Sequence, residues 1–269
     1  MKMPSISVLF PVYNCDESHL RKAIESILDQ SFRDFELIIF DDGSSNDVKS
    51  IIAEYKENDS RIVFIREEKN HGLAYGLNKM VEIAKGKYLA RMDADDISAP
   101  FRLECEYKFL ENHPEYGFVG GNLLLMDDSD QIYGLRKYPK KPSRRDFLKY
   151  QPYAHPTIMF RKSVLSMDKP YGLEEKPRRG EDYQLFMNLV ASGVKGYNLQ
   201  ENVLGYRETK DSYNRRTLPD QLDEVVIRWN GFKKLGLNPW RELHYVVKPI
   251  MVWMVPNRIA FGIRNGFSA

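Results

Sequence analysis

Four short apolar runs lie in the first 92 residues, separated by three stripes of helical spacing. The runs are Ser5 to Phe10, Phe35-Glu36-Leu37-Ile38-Ile39-Phe40, Ile62 to Ile65, and Tyr88-Leu89-Ala90-Arg91-Met92. The second is nearly all apolar, as strands covered on both faces are. Between the runs, Leu20, Ile24, Ile27 and Leu28 share one helical face behind Asp16 or Ser18 as N-cap. Val48, Ile51, Ile52 and Tyr55 form the second stripe, and Leu73, Leu77, Val81 and Ala84 the third. Such alternation demands right-handed crossovers and predicts an α/β fold, a doubly wound, mostly parallel sheet flanked by helices. The first run is expected to end at Pro11, which has no N–H for the ladder. Ligands of such sheets sit beyond the carboxyl ends of the strands. The turns at Tyr13-Asn14, Asp41-Asp42-Gly43-Ser44 and Asp93-Ala94-Asp95-Asp96 should therefore share one crevice.

The fourth run stops at three carboxylates in four residues. Like charges this close disfavour one another's ionisation. A divalent cation removes the conflict, and oxygen-only ligands suit Mg²⁺ or Mn²⁺. An EF-hand beginning at Asp93 would place Glu104 correctly, but Ile97 stands where a ligand is needed and Ser98 where glycine makes the turn. Asp96 or Ser98 as N-cap of a helix starting near Pro100, with Leu103, Tyr107 and Leu110 on its face, explains one carboxylate and not three. No G-x-G-x-x-G follows the first run and no G-x-x-x-x-G-K-[ST] occurs, which argues against Rossmann dehydrogenases and P-loop ATPases.

With 269 residues, 42% hydrophobic and 29% charged, the chain suits one soluble domain, alone or with an appended lobe. Two cysteines, Cys15 and Cys105, suggest no disulfide framework, and Met1 to Pro4 lead into a strand without a secretory signal. A cytoplasmic location is expected. The net charge of +2 hides an asymmetry: residues 1–135 carry −10, residues 136–162 carry +8 and residues 205–269 carry +5. The halves should meet different partners, although a solvated basic loop explains 136–162 equally well. After about residue 117 the alternation breaks down. Phe118 to Met126 reads as strand, Asp127-Asp128-Ser129-Asp130 as a hairpin turn, and a helix begins near Glu181. Near the C-terminus, Ile250 to Val255 lies between Pro249 and Pro256 and is far shorter than the roughly 20 residues of a spanning helix. Trp253 with Lys248, Arg258 and Arg264 suits an interfacial segment on an anionic leaflet, and packing against the main domain is the alternative.

Taken in order, Val8-Leu9-Phe10-Pro11-Val12-Tyr13-Asn14, Asp41-Asp42-Gly43-Ser44, Asn70-His71-Gly72-Leu73, Asp93-Ala94-Asp95-Asp96 and Pro100 resemble family 2 glycosyltransferases of the GT-A fold. Glu181-Asp182-Tyr183 resembles the acidic motif that family carries downstream. The resemblance covers roughly residues 5–215 and is of the bacterial surface-polysaccharide type. It implies a GT-A domain over 1–215, with a nucleotide-sugar half (1–117) and an acceptor half (118–215), and a helical extension over 216–269. It further implies an inverting, metal-dependent enzyme that moves a hexosyl or N-acetylhexosaminyl group from a UDP-sugar to a glycan or lipid-linked glycan. No nucleic-acid partner is expected, and a peripheral contact with the inner face of the plasma membrane would suit a lipid-linked acceptor.

The same resemblance assigns roles. Asp95 becomes the direct ligand of Mn²⁺ or Mg²⁺, with Asp93 at the ribose or metal and Asp96 in support. Pro11, Tyr13, Asp42 and Ala94 fall at the nucleotide. An ionised Asp42 can accept a hydrogen bond from N3–H of uracil, and Tyr13 can stack beside the base. The alternatives are an Asx-type turn for Asp41 and Asp42 and ordinary packing for Tyr13. Asp182 becomes the base that takes the acceptor hydroxyl's proton; otherwise Glu181 and Asp182 only favour a helix N-terminus. His155 lies near the acceptor by resemblance, or is a satisfied structural histidine. Arg215 and Arg216 could clamp the diphosphate, or be solvated. Two rivals stand beside this reading. A sugar-1-phosphate nucleotidyltransferase needs a glycine- and lysine-containing loop where the chain has Pro11-Val12-Tyr13-Asn14. The other is a sugar-nucleotide-binding, membrane-associated scaffold without transfer activity.

Overall fold

The computed structural model describes residues 3–172, 180–208 and 217–254. Strands β1 (Ile6–Val12), β2 (Phe35–Asp41), β3 (Ile62–Arg66) and β4 (Tyr88–Arg91) pair in parallel in the order β3-β2-β1-β4. Helices α1 (Glu17–Leu28), α2 (Val48–Asn58) and α3 (Leu73–Ile83) connect them. Asp16 caps α1, its carboxylate accepting from Ser18 N and His19 N. β1 does not stop at Pro11 as expected but continues to Val12, with Pro11 opposite Phe40. The pairing with β4 ends at Leu9 opposite Arg91, and Leu9 O accepts from Met92 N on that side. Two residues on, the missing N–H of Pro11 points the same way, where the ladder has already finished.

Beyond β4 the sheet becomes mixed. The short β5 (Ile97–Ser98) precedes α4 (Arg102–Asn112), and β6 (Phe118–Met126) turns through residues 127–130 into β7 (Ile132–Arg136). After α5 (Asp146–Lys149), β8 (Met159–Arg161) inserts antiparallel between β4 and β6. Helix α6 (Glu181–Ala191) leads to β9 (Gly196–Arg207), which runs parallel to β6 and antiparallel to β5. One sheet thus links both halves of the chain, in the order β3-β2-β1-β4-β8-β6-β9-β5. Helices α7 (Leu218–Lys234), α8 (Leu243–Val246) and α9 (Lys248–Trp253) complete the described residues. No helix among them is long and apolar enough to cross a membrane.

The strand period divides the core in two. Ile6, Val8 and Phe10 face α1, α2 and α4, whereas Leu9, Ile38, Phe40 and Leu89 face α3, α6 and α7. Apolar residues on both faces explain why β1 and β2 carry so few polar side chains.

Helix α4 starts at Arg102, two residues later than expected, and neither Asp96 nor Ser98 caps it. Ser98 belongs to β5, and Asp96 turns toward β9 instead. The open N–H of Leu103 is met from another element: it donates to Gln30 Oε1 at 3.0 Å. Gln30 is fully buried, and its Nε2 donates to Ser26 O (2.9 Å), Ala99 O (2.8 Å) and Ser98 Oγ (3.2 Å). This one amide ties α1 to the segment leaving the Asp93 cluster. Replacing Gln30 with Ala strands the buried N–H of Leu103 and leaves a cavity, and about 1–3 kcal/mol of stability should be lost. A lowered urea midpoint at unchanged m-value would show it; an unchanged midpoint would mean that water replaces the amide without loss.

Candidate active site

The three polar turns predicted to converge do so, and hydrogen bonds join them. Asn14, at φ +48°, receives a bond on its side chain from Ser45 N (2.8 Å) while its own N–H donates to Ser44 Oγ (2.9 Å). The next loop is reached from Cys15, whose Sγ donates to the buried Ala94 O at 3.3 Å. Tyr13 projects from this junction with 53% of its surface exposed, and Pro11 lies one turn deeper in β1.

Asp41 and Asp42 separate into different tasks. Asp41 is fully buried, pairs with Arg66 Nη1 (2.7 Å) and accepts from Ser44 N (2.9 Å), so it makes the turn. Asp42 reaches the next loop, where Oδ1 accepts from His71 N (2.9 Å) and Oδ2 from Gly72 N (2.7 Å). Gly72, at φ +91°, is the N-cap of α3, so Asp42 holds that helix start. Burial raises the Asp42 pKa, against the lowering effect of the two backbone donors.

One carboxylate oxygen each from Asp93, Asp95 and Asp96 lies within 4.8 Å of the others. Oxygens on opposite sides of an Mg²⁺ ion are about 4.2 Å apart, so a small adjustment brings the triad onto one ion. Asp96 is fully buried; Oδ1 accepts from Arg207 N (2.9 Å), and Oδ2 has no partner among the described residues. Burial, then the charge of Asp93, pushes Asp95 up to about 6, and the same causes with Asp95 raise Asp96 well above the usual range. An orphaned buried oxygen and two carboxyls starved of positive charge are what a divalent cation would relieve, and the residues fit one.

Glu181 and Asp182 open α6 behind Gly180, which stands at φ +97°. Asp182 accepts from Gln151 Nε2 (2.9 Å) and from Tyr183 N (2.7 Å). Burial raises its pKa, opposed by those donors and by Arg91. Glu181 is pushed up to about 7 by burial and then by Asp182. The charge of Asp93 adds a small further rise to both members of the pair. His155 is buried, 3.2 Å through Nε2 from Tyr171 Oη, and burial together with Arg91 keeps its imidazole neutral. Arg215 and Arg216 lie outside the described residues, as do Arg258 and Arg264.

Three residues at this crevice were not singled out from sequence. Gln151 holds the Asp182 carboxylate, and nothing in its polar, proline-flanked surroundings marks it. Arg91 touches Asp93 through Nη1; a lone charge in a buried strand, two residues before the first Asp, was a usable signal. Arg207 clasps the triad from outside: Nε donates to Asp95 O (2.9 Å), Nη1 to Asp127 O (2.6 Å) and Nη2 to Asp130 Oδ1 (2.5 Å). Replacing Arg207 with Gln keeps the backbone bond to Asp96 and removes the clasp. Affinity for Mn²⁺, read by calorimetric titration of the folded protein, should fall about 10- to 100-fold; unaltered affinity would show that the loop holds its shape without the guanidinium.

Comparison with known proteins agrees with this geometry. Residues 7–167 match the model of Glycosyl transferase family 2. EpsE of Bacillus subtilis is 36% identical over 254 residues, covering 94% of this chain and 90% of its own. WfaP of Escherichia coli, a UDP-Glc:alpha-D-GlcNAc-diphosphoundecaprenol beta-1,3-glucosyltransferase, is 29% identical, covering 87% of this chain and 88% of its own. Among solved structures, S. aureus TarS residues 1–349 in complex with UDP superposes with a TM-score of 0.67 at 17% identity, over 91% of this chain and 70% of that one. The fold is therefore GT-A, and the chain belongs to glycosyl transferase family 2.

Proposed function

We propose that this glycosyltransferase is inverting and metal-dependent, and that it moves a hexosyl or N-acetylhexosaminyl group from a UDP-sugar to a glycan or lipid-linked glycan. The observation that carries this reading is the spacing of Asp93, Asp95 and Asp96 for a single cation, with a second, half-buried acidic pair, Glu181–Asp182, whose member Asp182 is held by Gln151 and feels the charge of Asp93. A scaffold that only bound the donor would have no use for the second group. UDP as the nucleotide is favoured by the ligand in the TarS complex and by the donor in WfaP's name.

Each role follows from placement. Exposed Tyr13 offers a stacking face, with Pro11 and Ala94 lining the loops beneath it. Each Asp42 oxygen spends one lone pair on a backbone N–H and keeps another for uracil N3–H. Asp95 is the direct metal ligand, Asp93 stands between metal and ribose, and Asp96 supports them from the buried side. A bound Mn²⁺ or Mg²⁺ would supply the Lewis acid that offsets charge growing on the diphosphate leaving group. Asp182 takes the proton of the acceptor hydroxyl as the new bond forms, oriented by Gln151. A base separate from the leaving-group side fits single displacement, which turns an α-linked donor into a β-linkage of the kind in WfaP's name. His155, neutral and buried, walls the acceptor side and does not carry protons.

Residues 1–117 are assigned to the donor and 118–215 to the acceptor, with 216–269 as an extension. We place the protein in the cytoplasm, in peripheral contact with the inner membrane face. On the extension, Trp240, Met251, Val252, Trp253 and Met254 are exposed, as are Lys233, Lys234 and Arg241. Sedimentation with vesicles containing about one-third phosphatidylglycerol should pull the chain down, and Trp240→Ser with Trp253→Ser should release it. Failure to sediment even at low salt would remove the membrane contact.

For the base, the donor that gives the largest Mn²⁺-dependent thermal shift, among UDP-glucose, UDP-galactose and UDP-N-acetylglucosamine, supplies the assay. Asp182→Asn should slow UDP release about 10²- to 10⁴-fold while UDP binding is retained. Asp182 must be ionised to act, so rate is lost as pH falls through its pKa. Because that pKa is raised, the acid limb should lie above the ordinary aspartate range. A wild-type rate in Asp182→Asn ends the assignment.

A further inference from the structure

The chain leaves β4 at Arg91 and enters α4 at Arg102, and the loop between, with the two-residue β5 inside it, carries the acidic triad. At the strand end, Arg91 N donates to Ile158 O at 2.8 Å, half of an antiparallel exchange. A regular ladder would return the second half from Ile158 N to Arg91 O. Here Ile158 N donates instead to His155 O (3.1 Å), closing the short turn His155–Thr157. The Arg91 carbonyl thus loses its strand partner at the point where the chain departs for the triad.

Arg102 takes the vacated place. Its Nη2 donates to Arg91 O at 2.7 Å, and its Nε pairs with Glu106 Oε1 at 3.1 Å, one turn further along α4. Both side chains are fully buried, and Glu106 Oε2 has no partner among the described residues. A buried ion pair is a weak source of stability, since apolar residues of similar volume often serve as well or better. Apolar residues cannot, however, donate to Arg91 O. The far end of the loop is tied to the same helical turn: Arg102 N donates to Ala99 O (3.0 Å), and Gln30 joins Ala99 O to Leu103 N. Both ends of the loop therefore meet on the first turn of α4, and the Arg102 side chain is the bond that closes it. Arg207 grips the same loop elsewhere, at Asp95 O.

We propose that Arg102, aimed by Glu106, is a positioning residue: it closes the base of the triad's loop and so holds Asp93, Asp95 and Asp96 at the spacing that suits one cation. This role rests on the metal reading of the triad. Arginine suits it because the guanidinium is a rigid plane, so fixing Nε on Glu106 also sets the direction in which Nη2 donates. Lysine would bring the charge without that second point of control. A backbone carbonyl held at the exit of β4 restrains every residue that follows it, and the first acidic residue comes only two positions later.

Uptake of Mn²⁺ alone by the full-length protein, followed by loss of the free ion's EPR signal, reads the role without turnover, and urea midpoints are recorded beside it. Arg102→Met combined with Glu106→Leu removes both charges and roughly keeps the volume, so the double variant should fold with near wild-type stability. Its Kd for Mn²⁺ should nevertheless rise about 10-fold. Arg102→Lys keeps the charge and loses the fork, and its Kd should rise about 5-fold. A merely structural pair would leave Mn²⁺ binding in place in any variant that folds. A Kd within about 2-fold of wild type in the folded double variant therefore overturns the proposal. Should the double variant not fold, Arg102→Lys decides, and a Kd within the same limit overturns it. A wild-type protein that takes up Mn²⁺ no better than Asp95→Asn would instead remove the metal reading itself, and the role of Arg102 with it.

Discussion

Five carboxylates, from Asp93, Asp95, Asp96, Glu181 and Asp182, crowd the carboxyl end of one sheet, and containing their repulsion is what the site's construction depends on. Within the triad, each like pair at 4.8 Å costs about 3 kcal/mol at an effective dielectric near 20, so three pairs approach ~10 kcal/mol. That rivals the whole stability of an ordinary domain. Full ionisation of the triad therefore needs positive charge from somewhere. Arg207 supplies it from outside and Arg91 from inside, yet neither satisfies Asp96 Oδ2. After both arginines the carboxylates still outnumber the cations, and Asp96 Oδ2 is left without a partner among the described residues.

Holding the charges in place is a task for the neighbouring loops. Cys15 bonds to the Ala94 carbonyl, Asn14 to the Ser44 turn and Asp42 to the start of α3. Gln30 anchors the exit from the Asp93 cluster to α1. The turns that would touch the nucleotide are thus braced against one another as well as against the sheet. Asp42 shows the economy of this arrangement. Two backbone donors fix its carboxylate, and the lone pairs left over are those available to a base.

The first 92 residues were legible because each strand is short, apolar and bounded by a helix of clear period. All four strands and three helices fall where the pattern put them, apart from the extra length of β1. The convergence of the three turns followed from the parallel order alone. Past residue 117, periodicity could not reveal that β8 inserts antiparallel between β4 and β6, because a three-residue strand carries no period. The partner of the α4 N-terminus is hidden from local pattern for a related reason. Its donor is satisfied by Gln30, 73 positions away in sequence, and local patterns contain no such information. Arg207 escaped notice in the same way, since its partners lie in the Asp93 loop and the 127–130 turn.

The charge asymmetry also changes meaning once contacts are known. Much of the basic stretch at 136–162 holds the fold: Arg161 donates to the Tyr116 and Leu110 carbonyls, Lys162 to Ala84 O, Arg144 to Leu235 O, and Arg136 pairs with Glu208. Lys137, Lys140, Lys141, Arg144, Arg145 and Lys149 are exposed and form the solvent-facing part. Among the described residues only Arg136 and Arg145 are offset by a carboxylate, Glu208 and Glu242, so the stretch combines cations fixed in the fold with a solvated basic surface. The acidic side is the reverse. Its crowding gathers around Asp96, which is fully buried, with Asp93 and Asp95 half-buried beside it, and the lower dielectric there strengthens each interaction. Net charge by segment locates neither effect; contacts and burial do, and they place a cluster of three crowded carboxylates just past the end of β4.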